Sequence, residues 1–119
     1  MKGPRKLITL ITDFGVKDSY VAEMKGVILA SDHFGNLITN IHEKDYLQFK
    51  RRGRGKAVWI KSGKHTIKKL SKRYADVEKG PMVLFGSASL LEFSVRNDNA
   101  SKTLSLEPGN RVELIYGRN

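Results

Sequence analysis

From Asp32 onward the chain is a succession of short runs rich in branched and aromatic residues, separated by turn-forming residues. This rhythm limits the fold more than any other feature. The runs are Leu37–Ile41, Ala57–Ile60, His65–Ile67, Tyr74–Val77, Met82–Phe85, Leu90–Val95 and Val112–Tyr116, with a Lys61-Ser62-Gly63-Lys64 turn inside the series. Short strands at such spacing predict a small β-barrel or sandwich. Ala100–Leu106 is ambiguous, one helical turn closed by Pro108-Gly109 being an option.

The opening of the chain reads differently. Leu7–Thr12 is apolar on both faces, as expected of a strand covered on both sides, and Asp13–Asp18 forms the turn after it. A helix is then expected from Asp18 or Ser19 to Ala30, with Tyr20, Val21, Met24, Val27 and Ile28 on one face. Gly26 inside it hints at close packing. A parallel strand needs a crossover and a partner, yet no second βα unit follows. The expectation is a mainly-β, α+β protein. Residues 1–31 form an N-terminal β-turn-α segment, and residues 32–119 a small β-barrel domain.

A chain of 119 residues can bury a core without covalent staples. It has no cysteine, which excludes disulfides and thiolate metal sites. His33, His42 and His65 lack ligand spacing, so no metal is expected. No apolar run reaches membrane-spanning length and the N-terminus does not read as a signal peptide, so a soluble cytoplasmic protein without a membrane partner is expected. The net charge of +10 is concentrated: Lys50 to Arg73 holds eleven of the 22 basic residues and no acidic one. Lys50, Arg51, Arg52, Arg54, Lys56, Lys68 and Lys69, with Phe49, Trp59 and Tyr74 interleaved, suit a basic β-hairpin that tracks a nucleic-acid backbone. The alternative is a solvated, lysine-rich surface hairpin, as charge runs usually are, with Trp59 in the core.

Asp32-His33-Phe34-Gly35-Asn36 brings a carboxylate, an aromatic ring, a glycine and an amide together before an apolar strand. Gly35 permits a turn with positive φ. The set suits a nucleoside: a ring to stack a base, an amide to pair with its edge, a carboxylate to accept from hydroxyls or an amine. The alternative is an Asx-type turn opening a strand, with Phe34 in the core. Asp13-Phe14-Gly15 is not a kinase metal loop, because only twelve residues precede it and the other kinase elements have no room. Asp13 can equally cap its own turn.

Several stretches resemble one family. Leu10-Ile11-Thr12-Asp13-Phe14-Gly15, followed by Asp18-Ser19-Tyr20-Val21 and Met24-Lys25-Gly26-Val27-Ile28, resembles the N-terminal signature of the S-adenosylmethionine hydroxide adenosyltransferases, relatives of the chlorinating and fluorinating enzymes. Asp32–Ile41 is similar to the motif that opens that family's C-terminal domain, and Tyr74–Val77, Gly86-Ser87 to Val95 and Asn99-Ala100 continue the likeness. The resemblance implies a trimer that hydrolyses S-adenosylmethionine to adenosine and methionine between subunits. It implies no cofactor beyond that substrate. Matched positions assign Asp13 to the ribose and Asp18 and Tyr20 to the methionine end. Asp32 falls to the amino acid part, Phe34 to adenine stacking and Asn36 to the adenine edge. Ser87 falls to the carboxylate, and backbone near Val95 and Asn97 to the base. Between Ala30 and Asp32 the family has most of an α/β domain that carries its water-activating residues, and here one serine stands in its place. Turnover is therefore expected to be weak, and a structural remnant whose N-terminal strand finds a partner chain is a third option.

Overall fold

The computed structural model describes residues 23–76 and 79–117. The strand expected at Leu7–Thr12, the start of the helix after it, and the candidate residues Asp13, Asp18 and Tyr20 lie outside the described residues, as does Val77.

The described chain forms β1 (Glu23–Ser31), β2 (Leu37–His42), α1 (Glu43–Arg52), β3 (Val58–Ser62), β4 (His65–Ile67), β5 (Pro81–Phe85), β6 (Leu90–Val95), α2 (Ala100–Leu104) and β7 (Arg111–Tyr116). The strands make one seven-stranded sheet in the order β4-β3-β7-β1-β2-β6-β5, antiparallel at every step. The residues after β4 return to the far edge, where Leu70 makes a parallel bridge to Val83 and Ser71 N donates to Val83 O at 2.8 Å. The sheet is thereby nearly closed into a barrel. Alternation does the rest: Val58, Ile60, Leu91, Phe93, Val112 and Leu114 point inward, while their neighbours in sequence face out.

Two expectations are corrected here. Glu23 to Ala30 is not helical: it is the body of β1, paired with β7 through Glu23↔Ile115 to Val27↔Arg111 and with β2 through Ile28↔Thr39 and Ser31↔Leu37. Met24, Gly26 and Ile28 are buried and alternate with half-buried Glu23, Lys25 and Val27, a period of two that the helical reading overlooked. Gly26 does mark close packing, but between strands: a Cβ there would lie 2.7 Å from both Asn40 Oδ1 and Ile41 Cγ1. Asn40, itself buried, uses that oxygen to accept from Val27 N at 2.8 Å, satisfying a donor where the β1–β2 ladder is irregular. The second correction is Tyr74–Asp76, which is a 3₁₀ turn and not a strand.

Helix α1 was not expected from the sequence. His42 caps it, its Nδ1 accepting from Lys44 N at 3.1 Å. Glu43 and Asp45 occupy the first turn and Lys50, Arg51 and Arg52 the last, as the helix dipole favours. Tyr46 and Phe49 pack its inner face against the core. Phe49 stacks on Tyr116 with centroids 4.2 Å apart, and the Tyr116 hydroxyl donates to Phe49 O at 2.6 Å. α1 thus lies against the barrel where β2 ends, and the Asp32 turn sits where β2 begins. The basic residues are accordingly not on one hairpin. Lys50, Arg51 and Arg52 end a helix, Arg54 and Lys56 follow in a loop, and Lys68 and Lys69 come after β4.

Candidate functional site

The turn between β1 and β2 is held by the Asp32 carboxylate. Its Oδ1 accepts from Phe34 N and Asn36 N, both at 2.9 Å, and its Oδ2 accepts from Asn36 Nδ2 at 3.2 Å. Backbone bonds from Asp32 N to Asn36 O and from Gly35 N to Asp32 O close the loop, each at 2.9 Å. Gly35 has φ +85, and a Cβ there would also overlap the Asn99 side chain, so glycine is required twice over. Ser101 N donates to Gly35 O at 3.1 Å, seating the start of α2 on the turn.

The turn reading of this motif holds in part. It is an Asx-type turn, yet Phe34 does not enter the core. Phe34 is 73% exposed and edge-on to His33 at 5.3 Å. Asn36 is fixed from the other side by Ser94, whose Oγ donates to Asn36 Oδ1 at 2.8 Å. One amide N–H and one lone pair are thus used, and one of each is left for a ligand.

The end of β6 forms the neighbouring wall. Val95 O accepts from Asp98 N at 3.1 Å and from the Tyr74 hydroxyl at 3.3 Å. Asn97, in a left-handed conformation with φ 59, donates its N–H to the same Tyr74 oxygen at 2.5 Å. The 3₁₀ turn is thereby fastened over the end of β6, with Tyr74 40% exposed. Ser87 lies at the other end of β6, exposed in the β5–β6 turn. A Cβ at Gly86 would overlap the Glu92 carboxylate. Burial, and secondarily the charge of Asp32, push the Glu92 carboxyl above the usual range.

Asp32, Phe34 and Asn36 share the β1–β2 turn, which Ser94 ties to the end of β6 that carries Val95 and Asn97; Ser87 lies at the opposite end of β6 and is not brought to this corner. Glu92 and Ser94 were not singled out from sequence, although period-two alternation along β6 sets them opposite the inward Leu91 and Phe93. Tyr74 was read only as an aromatic of the basic stretch and as the start of Tyr74–Val77, not as a fastening for the end of β6. On the opposite side of the order, Trp59 is half-buried with Lys68 Nζ 4.5 Å from its ring centroid, a cation–π contact and not a core position.

The architecture and this corner define a class: a small antiparallel barrel domain whose strand-opening turn presents a ring and an amide. Comparison with known proteins narrows it. Residues 26–113 match the family model of the SAM hydroxide adenosyltransferase C-terminal domain, and the chain belongs to that family. The match takes in Gly26-Val27-Ile28, read from sequence as part of the N-terminal signature. The chain is similar to an (R)-S-adenosyl-L-methionine hydrolase from Methanocaldococcus jannaschii, 34% identical over 102 residues, covering 81% of this chain and 37% of the relative. A solved structure described as an uncharacterized conserved protein from Thermotoga maritima superposes with a TM-score of 0.65 at 29% identity, covering 78% of this chain and 36% of that one. A conserved hypothetical protein from Thermus thermophilus follows at a TM-score of 0.57 and 25% identity, with 76% and 32% coverage. The chain thus spans between 32% and 37% of the length of these relatives.

Proposed function

We propose that this chain binds the adenosyl group of S-adenosylmethionine at the Asp32–Asn36 corner, as one wall of a site completed by a second subunit. The observation that carries the reading is the pairing of an exposed Phe34 ring with a fixed, half-used Asn36 amide. An amide with one donor and one acceptor to spare can pair with the adenine edge in the two-point manner that asparagine uses for this base. Phe34 then stacks on the ring. Val95, Asn97 and Tyr74 close on the base side, and Ser87 and Asp32 serve the amino acid part. Asp13, Asp18 and Tyr20 are assigned to the ribose and methionine ends by resemblance alone. Because Asp32 accepts three hydrogen bonds within its own turn, its role here is electrostatic positioning and not proton transfer.

Stacking on an aromatic ring is worth about 1–3 kcal/mol per base, and a neutral hydrogen bond nets about 0.5–1.5 kcal/mol. Binding is therefore expected to be weak, with hydrolysis slower still. Calorimetric titration with adenosine, run beside a timed assay for adenosine release from S-adenosylmethionine, tests both halves. No heat at millimolar adenosine would reduce the motif to a structural turn, and fast release would show that the water-activating machinery is present after all. Light scattering tests the second subunit: a monodisperse monomer that still binds adenosine removes the interface from the proposal.

A further inference from the structure

The basic residues that the adenosyl reading leaves unused converge in space although they come from three separate segments. Lys50, Arg51 and Arg52 end α1, whose Phe49 stacks on Tyr116. Tyr116 is paired with Val58, the first residue of β3, and Gly117 N donates to Ala57 O at 2.8 Å, so the Arg54–Lys56 loop lies at this same end of the sheet. The β3–β4 register, Ile60↔Ile67, returns the chain so that Lys68 sits over Trp59 and Lys69 follows it. Lys50, Arg51, Arg52, Arg54, Lys56, Lys68 and Lys69 are all exposed. Among the described residues no carboxylate comes within ion-pair range of Lys50, Arg51, Arg52, Arg54, Lys68 or Lys69; the salt bridge seen is Lys25–Glu23.

The helix dipole accounts for the three cations in the last turn of α1. It does not account for Arg54, Lys56, Lys68 and Lys69, which add like charge to the same end and raise its self-repulsion. A regularly spaced polyanion relieves that repulsion. A lipid surface fits less well: among the described residues Leu47, one turn before Lys50, is the one exposed large apolar side chain of this helix, too small an apolar face to insert into a bilayer.

We propose that this end of the barrel binds the phosphodiester backbone of a nucleic acid, independently of the adenosyl corner at the other end of β2. Contact is through charge, without base readout, so affinity follows counterion release. With about five phosphates neutralised on a single strand, raising monovalent salt from roughly 50 to 200 mM lowers the association constant about 100-fold. The test is fluorescence anisotropy of the full chain with labelled twenty-nucleotide RNA, DNA of the same sequence and the corresponding duplex, each across that salt range. Binding to any of the three with this steep dependence supports the proposal, and their ranking identifies the natural source of the phosphates. R51A/R52A/R54A should weaken binding at least tenfold and flatten the log–log salt slope by about two, while leaving the adenosine titration unchanged. K68Q/K69Q, on a different segment, should weaken binding as well, and it carries the test if the triple variant fails to fold. Absence of binding at 50 mM salt overturns the proposal. So does a salt slope that both variants leave unchanged, or capture by phosphatidylserine vesicles without any oligonucleotide binding.

Discussion

Removing the Asn36 amide should separate its two duties, holding the turn and reading a base. Asn36→Ala deletes the acceptor for Ser94 Oγ at 2.8 Å and the donor to Asp32 Oδ2 at 3.2 Å. It spares the backbone bonds from Phe34 N, Gly35 N and Asn36 N that close the turn. A neutral side-chain bond nets about 1 kcal/mol, and one to a carboxylate about 1.5–3 kcal/mol at good geometry. The Asp32 bond is long and half-exposed, so its contribution falls at or below the lower end. The single variant should therefore lose about 2 kcal/mol while keeping its fold. Part of that loss is the Ser94 hydroxyl, 2% exposed and left without its acceptor. Ser94→Ala should cost about 1 kcal/mol alone, and adding it to Asn36→Ala should cost almost nothing further. The coupling between the two positions is then about 1 kcal/mol. Urea denaturation followed by circular dichroism measures all four corners of this cycle, and calorimetry with adenosine reads the second duty. Asn36→Ala should remove detectable adenosine binding. An unchanged adenosine affinity in that variant, alongside the stability loss, would show that the amide is a structural pin and refute the base-reading role.

Three further outcomes follow from the same geometry. Phe34→Ala should leave stability within about 0.5 kcal/mol of the parent, as expected for a ring 73% exposed, yet abolish adenosine binding; a large stability loss on denaturation would place the ring in the fold after all. Gly26→Ala should destabilise by about 1–3 kcal/mol, because the new Cβ meets Asn40 and Ile41 at 2.7 Å, and a denaturant midpoint equal to the parent's would contradict the close β1–β2 approach. Glu92 has a folded-state pKa raised by burial first and by Asp32 second, so the folded state holds this proton more tightly than the unfolded chain. Its contribution to stability is greatest below the unfolded carboxyl range and is lost as pH rises through the folded value. Glu92→Gln should flatten that decline in a series of denaturation curves between acid and neutral pH.

The barrel was legible in the sequence because β3, β6 and β7 largely alternate in period two and β5 is a short apolar run between turn residues, and their bounds in the structure fall within one or two residues of those read from the runs. β1 was not, because Met24, Val27 and Ile28 satisfy the helical period as well as Met24, Gly26 and Ile28 satisfy the strand period; only pairing with Arg111–Ile115 and Leu37–Thr39 decides between them. α1 hid for a related reason. Its two core contacts, Tyr46 and Phe49, stand among charges, and the signal lay instead in the acids at its start and the cations at its end. At the site, the turn was visible from Gly35 and its neighbours. The bonds that fix it were not, since Ser94 reaches Asn36 from 58 residues away through strand register and Tyr74 reaches Asn97 from 23 by the path of the 3₁₀ turn.

Closure of the barrel rests on a narrow seam. Every other junction in the sheet is a ladder of paired strands, whereas β4 has three residues and meets β5 through Leu70 and Ser71. Opening along that line breaks fewer hydrogen bonds than parting any of the paired strands and leaves the β2–β6–β5 ladders intact. Amides of residues 65–71 should consequently exchange with solvent ahead of those in β2 and β6. The barrel would then breathe at the segment after β4 that carries Lys68 and Lys69, so that an anion gripping this seam acts as a clasp on the whole sheet while the Asp32–Asn36 corner stays rigid.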